Sequence, residues 1–282
     1  GVIFLLGSLE GTFKTKEDIR NALKQREVLL LAELPIMPVK GTNQELVPVV
    51  LSPESPYMEI LEKFRSNVRR VGGKKVKVVM VTSTGSLEGK TTSAYNLGIA
   101  SARAGKRTII IETDLRSQSL CESLNVNLDP DAGLEPLRYY GSSECIRLVP
   151  DVENLYIVPS PGMIRQSAAV LESSELRRLM EDARERFDMV ILDTTPLGLS
   201  NDALLIHPYC DGMVMVARPN YTQENIFGEA IDELVESEMG LLGVVIDGAD
   251  MTIAAQESNS YFEEEEEADS IHPEEYSGVH RN

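Results

Sequence analysis

Two hydrophobic periods alternate along this chain. Val76–Thr82, Thr108–Ile111, Leu155–Val158, Met189–Leu192, Gly212–Ala217 and Leu242–Ile246 are short runs dominated by apolar residues, which predict buried strands. Helical spacing of apolar residues predicts helices between most of them, over Thr91–Ala104, Ser174–Arg186 and Asn225–Glu238. Upstream, Met58, Leu61, Phe64 and Val68 form one stripe of a helix over Tyr57–Val71, with Glu59, Glu62 and Arg65 on another side. Thr15 and Asp18 resemble a capping box and predict a helix running to about Arg26. Leu29–Leu31 and Pro35–Val39 read as short extended pieces broken by prolines, and Gly41–Pro56 as a linker. Strand and helix in alternation imply an α/β fold, with a mostly parallel sheet and helices on both faces. Ligands in such sheets lie at the carboxyl ends of strands, which directs attention to the loops after Thr82, Ile111, Leu192 and Ile246.

The 282 residues allow one large domain with extensions or two small ones, with apolar content sufficient for a full core. The formal charge of −18 argues against a general nucleic-acid surface, which needs a basic stripe. The acidity is uneven, since nine acids and one arginine lie between Glu257 and Asn282. That polar stretch, with Glu263–Glu267 at its centre, reads as a disordered tail. Cys121, Cys145 and Cys210 are widely spaced, without disulfide or zinc patterning, as expected in a reducing compartment. His207, His272 and His280 are equally scattered and read as structural or solvated. The apolar start Val2–Leu6 is too short to span a bilayer; it reads as a buried strand or as the end of a longer transmembrane helix.

Three stretches carry chemistry. The first strand runs into Ser83-Thr84-Gly85-Ser86-Leu87-Glu88-Gly89-Lys90-Thr91-Thr92, and a helix follows. Strand, glycine-bearing loop and Gly-Lys-Thr at a helix start form a phosphate-binding arrangement. Backbone N–H groups at the helix N-terminus face an anion, the lysine brings a point charge, and a threonine hydroxyl holds Mg²⁺. Gly85, Ser86, Gly89, Lys90, Thr91 and Thr92 are the candidate nucleotide contacts. The pattern departs from the usual one at Thr84, where a glycine is expected, and at Leu87 and Glu88, which are often small. Next, Ile109-Ile110-Ile111 ends in Glu112-Thr113-Asp114-Leu115-Arg116. One of the two acids would hold Mg²⁺ or take a proton from an attacking hydroxyl, and Arg116 would neutralise phosphate or form a strand-end salt bridge. Finally, Val190-Ile191-Leu192 ends in Asp193, placed to order the Mg²⁺ shell.

Together the three stretches resemble the Walker A, A′ and B motifs of the bacterial tyrosine autokinases (BY-kinases, the Wzc/CapB type) of polysaccharide export. The resemblance extends to Phe13–Asp18, Ser55–Asn67, Phe187–Asp193, Asp202-Ala203-Leu204, Asp211-Gly212-Met213 and Leu242–Gly248, nearly the whole chain up to about residue 255. It implies a P-loop NTPase fold and phosphoryl transfer from MgATP to tyrosine. Lys90, Glu112, Asp114 and Arg116 are then catalytic, and Thr91, Glu112 and Asp193 are metal-binding. Asp247, where the family usually has Asn, lies near the base. Tyr261 and Tyr276 are the tail phosphoacceptors. The resemblance further implies a ring of subunits through a Glu-x-x-Arg-x-x-Arg helix, in which Glu59 and Arg65 fit and Glu62 replaces the middle arginine.

The implied organisation is a transmembrane end, juxtamembrane segment and linker over 1–56, a kinase domain over 57–255, and an acidic tail over 256–282. The implied setting is the cytoplasmic face of the bacterial plasma membrane, beside polysaccharide polymerisation and export machinery. Two alternatives share the nucleotide core. One is a MinD/ParA-like regulatory ATPase, although Gly85 stands where that class carries a second lysine. The other is a catalytically weak chain-length regulator, suggested by Glu112, Glu62 and Asp247.

Overall fold

The computed structural model describes residues 11–36, 56–124, 126–162 and 164–249. In chain order its principal elements are α1 (Lys16–Gln25), β1 (Leu30–Pro35), α2 (Pro56–Gly72), β2 (Val78–Ser83), α3 (Lys90–Arg103) and β3 (Thr108–Glu112). There follow α4 (Ser119–Leu124), α5 (Pro136–Tyr140), β4 (Arg147–Leu148), β5 (Leu155–Val158), α6 (Ser167–Leu171) and α7 (Ser174–Arg186). The chain continues through β6 (Met189–Asp193), α8 (Asp202–Ile206), β7 (Gly212–Ala217), α9 (Glu224–Glu236) and β8 (Leu241–Ala249).

The strands form one sheet in the order β1-β8-β7-β2-β6-β3-β5-β4. Every pairing is parallel except β4 with β5. The six strands expected from apolar runs all form. All six residues of β2 and of β7, and all five of β3 and of β6, are buried. Burial on both faces is what a near-continuous apolar run requires.

Register positions the chemistry. Val81 of β2 pairs with Asp193 of β6, and Glu112 of β3 pairs with Asp193 on its other side. Ser83 pairs with Val216, and Ala217 with Ile246, so the strand ends of β2, β7 and β8 also lie together. The three acidic or glycine-bearing loops therefore emerge at one edge of the sheet.

The first strand differs from expectation. The piece expected over Leu29–Leu31 runs on to Pro35 as one strand, parallel to β8, with Leu31 and Leu34 buried; of the second expected piece, Pro35–Val39, only Pro35 is in the strand, and residues 37–39 lie outside the described residues. Pro35 is its last residue, on an edge strand, where a missing N–H donor is tolerated. Residues 30–35, expected to precede the domain beginning at residue 57, thus belong to the same sheet as its strands. Helix α2 packs on β1 and α3, burying Leu61, Phe64 and Val68, while Asn67 Nδ2 donates to Leu31 O at 2.8 Å. Helix α1 begins with the expected capping box between Thr15 and Asp18 and buries Ile19 and Leu23. The Phe13 and Phe227 rings meet edge-on at 5.5 Å, fastening the approach to α1 against α9. At the opposite edge, β4 is a two-residue exposed strand that the sequence pattern did not indicate. The apolar start, most of the linker and the tail lie outside the described residues. Among the described residues, no helix is long and apolar enough to cross a membrane.

Candidate active site

The phosphate loop leaves the buried end of β2 and enters α3 through Gly89, whose φ of 90° and ψ of 20° suit glycine. Asp247 reinforces that requirement, since a Cβ on Gly89 would lie 2.0 Å from its Oδ2. Leu87 also holds a left-handed φ of 62° and is 75% exposed, which makes it the strained tip of the loop. Ser83 Oγ donates to Gly85 O at 2.7 Å.

Glu88, an exception to the usual pattern, closes the loop on itself. Its carboxylate is buried and accepts Thr84 N at 3.1 Å and Thr84 Oγ1 at 3.2 Å. Burial raises its pKa, opposed by hydrogen bonds from Gly85, Thr84 and Thr222. Sequence reasoning missed this contribution; the only available signal was an acid at a loop position that is often small.

Lys90 opens α3 and projects between two carboxylates. Its Nζ lies 3.5 Å from Asp193 Oδ1 and 3.8 Å from Asp114 Oδ2. Thr91 Oγ1 donates to Asp193 Oδ2 at 2.7 Å. Asp193 is fully buried, which raises its pKa against the pull of Lys90 and Thr91. Its Oδ1 accepts no hydrogen bond of good geometry. A buried carboxylate oxygen met only by the Lys90 ammonium at 3.5 Å, beside a threonine hydroxyl, fits a hard divalent cation that takes its remaining ligands from phosphate and water. Among the described residues, no three His, Cys, Asp or Glu side chains form a metal cage by themselves.

The A′ acids separate into two roles. Asp114 faces Lys90 with Oδ2, while Oδ1 accepts Arg116 N at 3.3 Å and Thr195 Oγ1 at 3.4 Å. Glu112 is fully buried and both its oxygens are engaged, Oε1 by Leu120 N at 3.2 Å and Oε2 by Ser160 N at 2.8 Å. Burial, followed by repulsion from Asp193, holds its pKa well above the ordinary range. The longer Glu112 side chain thus fastens the first turn of α4 and the loop after β5. Arg116 is 55% exposed along its side chain and turns toward Asp202, with Nε 3.4 Å from Oδ2.

The backbone holds these loops in place. Thr113 N and Asp114 N donate to Asp193 O, at 2.8 and 3.2 Å, and Gly198 N donates to Thr84 O at 3.1 Å. The structure therefore brings Lys90, Thr91, Asp114 and Asp193 together, with Glu112 behind them. Gly85 and Gly89 belong to the loop, Ser86 is exposed at its tip, and Thr92 lies in the first turn of α3. Asp247 stands apart from the cation cluster, on the β7/β8 side of Gly89; burial pushes its carboxyl up to about 7, with Arg218 opposing. Tyr261 and Tyr276 lie outside the described residues. On α2, Arg65 is paired within its own helix, donating from Nε to Glu62 Oε2 at 2.9 Å.

A central parallel sheet, a strand–phosphate-loop–helix joint and strand-end acids in this order define a nucleotide-binding α/β domain, and the AAA domain family model matches residues 76–223. The tyrosine-protein kinase CpsD of Streptococcus pneumoniae serotype 4 is 30% identical over 186 residues, covering 65% of this chain and 81% of that protein. The chain belongs to this family of bacterial tyrosine-protein kinases. The succinoglycan biosynthesis transport protein ExoP of Rhizobium meliloti is 29% identical over 210 residues, or 72% of this chain and 26% of that longer protein. The kinase domain of the Escherichia coli tyrosine kinase ETK superposes with a TM-score of 0.69 at 16% identity, over 92% of this chain and 98% of that one, which establishes the shared fold.

Proposed function

We propose that this chain is an ATP-dependent protein-tyrosine autokinase that regulates polysaccharide biosynthesis and export. The observation that carries the reading is the convergence of Lys90, Thr91, Asp114 and Asp193 at one sheet edge, where a phosphate loop meets two carboxylates. CpsD supplies the activity by relationship and ExoP the polysaccharide context.

The residues divide the work as phosphoryl transfer demands, through positioning and charge neutralisation. Loop N–H groups and Lys90 bind the β- and γ-phosphates. Thr91 and Asp193 would hold Mg²⁺, which neutralises phosphate charge when bound. Asp114 takes the proton from the acceptor phenol as its oxygen bonds to the γ-phosphorus and ADP leaves. This role falls to Asp114 because both Glu112 oxygens are held by backbone N–H groups. Glu112 acts behind it as a positioning residue. Arg116 needs to leave Asp202 to reach phosphate, a movement its exposure permits.

Tyr261 and Tyr276 are the proposed acceptors, in this chain or in a neighbouring copy. Phosphates beside Glu263–Glu267 would add like charge and loosen tail docking and any ring. The proposed organisation remains a membrane-proximal segment, a kinase domain and an acidic tail at the cytoplasmic face of the plasma membrane. A catalytically weak nucleotide-binding regulator is the second reading, favoured by the engagement of Glu112 and by the Glu62–Arg65 pair.

Intact mass and peptide mapping after incubation with MgATP test the kinase reading. Phosphate on Tyr261 or Tyr276 in the parent and none in Lys90→Met is expected. An unphosphorylated parent that binds MgATP would leave the regulator.

A further inference from the structure

The loop has two sides, and only one is accounted for by the phosphate chemistry. Lys90, Thr91, Asp114 and Asp193 gather on the β6/β3 side and fix where the terminal phosphate lies. On the other side of Gly89 lie Asp247 and the paired ends of β7 and β8.

That end is built from flat and charged groups. The Arg218 guanidinium lies over the Tyr221 ring, 4.4 Å from its centroid, and Nη1 donates to Leu87 O at 3.3 Å. Tyr221 is 45% exposed, so this stack meets solvent beside the loop. Gly248 carries no side chain there, and a Cβ on it would sit 3.1 Å from Arg218 Nε, at a φ of 68°. Asp247, 7% exposed, completes the corner against Gly89. Planar aromatic and guanidinium groups next to a phosphate loop supply stacking, which is tolerant of base identity. Discrimination falls to the polar group.

An ionised carboxylate can only accept hydrogen bonds. Guanine presents two adjacent donors on one edge, N1–H and the 2-amino group. Adenine presents one amine beside N1, itself an acceptor. A carboxylate pairs with both guanine donors, whereas on adenine it satisfies one contact and sets two lone pairs against each other.

We propose that the nucleoside lies over Gly89 toward Asp247 and the Arg218–Tyr221 stack, and that Asp247 makes guanine an accepted base there, so that the protein binds GTP at least as tightly as ATP and uses either as phosphoryl donor. The inference rests on the nucleotide-binding reading above and extends it to the choice of base.

Competition of unlabelled ATP and GTP against a fluorescent ADP analogue, at about pH 8 where Asp247 is ionised, tests the proposal. The full chain, Asp247→Asn and Lys90→Met are compared. The parent is expected to favour GTP, and Asp247→Asn, nearly isosteric, to shift the GTP-to-ATP affinity ratio toward ATP by about tenfold or more. ITP keeps N1–H and lacks the 2-amino group, so it should bind between GTP and ATP in the parent. Unchanged ratios in Asp247→Asn, or ATP competition without GTP competition in the parent, overturn the assignment while leaving the nucleotide-binding reading intact. Failure of both nucleotides in parent and Lys90→Met alike removes that reading and the base assignment together. Retained thermal unfolding in Asp247→Asn, followed by circular dichroism, separates a lost contact from a lost fold.

Discussion

Replacing Asp247 by Asn should flatten the pH dependence of folding. Burial lifts this carboxyl from 3.8 to about 7, with Arg218 and Gly248 N–H pulling the other way. An acid whose pKa is raised on folding adds stability below its unfolded pKa, and that stability is lost as pH rises through the folded value. Each pH unit between the two values costs about 1.4 kcal/mol, so the full cost of ionising Asp247 in place is about 4 kcal/mol above pH 7. From pH 5 to pH 8 the portion lost is about 2–3 kcal/mol. Asn keeps the shape and does not titrate. Urea unfolding of both proteins at pH 5, 6, 7 and 8 would measure the difference. Glu88, Glu112 and Asp193 are present in both, so their shared pH dependence cancels in the comparison to the extent that their coupling to Asp247 is small. The advantage of Asp247→Asn should grow by about 2–3 kcal/mol across that range. Parallel curves would refute the claim that this carboxyl is held neutral by burial.

Three further outcomes are expected. Glu88→Ala leaves Thr84 N–H unpaired in the loop; it should raise the KM for nucleotide more than it lowers kcat, by about tenfold, corresponding to about 1–3 kcal/mol for an unsatisfied donor. Phe64→Ala empties a fully buried site between α2, α3 and β1 and should cost about 3–5 kcal/mol in denaturant unfolding, with a cost below 1 kcal/mol contradicting the packing described. Glu62→Arg removes the acid that occupies Arg65 and should increase the oligomeric mass seen by light scattering; an unchanged mass would show that this helix does not set assembly.

The strands were readable because their environment is written into consecutive residues: β2, β3, β6 and β7 are buried on both faces, so nearly every position is apolar or small, the exceptions being the terminal acids Glu112 and Asp193. The strand β1 was harder to read because its burial depends on β8 and α2, neither of them nearby in sequence, while Glu33 and Pro35 interrupt the run. At the site, Lys90, Thr91 and Asp193 were legible as a motif, because strand order fixes their approach. Whether Glu112 offers its oxygens to a ligand depends on where Leu120 N and Ser160 N come to rest, and Ser160 is 48 positions away. The same holds for Asp247, whose contact with Gly89 crosses the sheet. By contrast, the Glu62–Arg65 pair lies at the i, i+3 spacing that a helix always brings together, and was available from the sequence.

The pairing of β1 with β8 also has a temporal side. The chain between Pro35 and Leu241 must be made before the two can meet, and Phe13 likewise waits for Phe227. At about 5–20 residues per second, a ribosome needs roughly 10–40 s to bridge that gap. During this interval β2, β3 and β6 can already pair, so the phosphate loop and Asp193 can assemble while the amino-terminal strand is still unpartnered. A nascent chain arrested after β7 would thus hold most of the catalytic apparatus with an open sheet edge, and such edges recruit other strands. Closure by β8 turns an aggregation-prone intermediate into a finished domain, and the same strand delivers Asp247 to the loop. Emergence of β8 and completion of the nucleotide site are therefore one event.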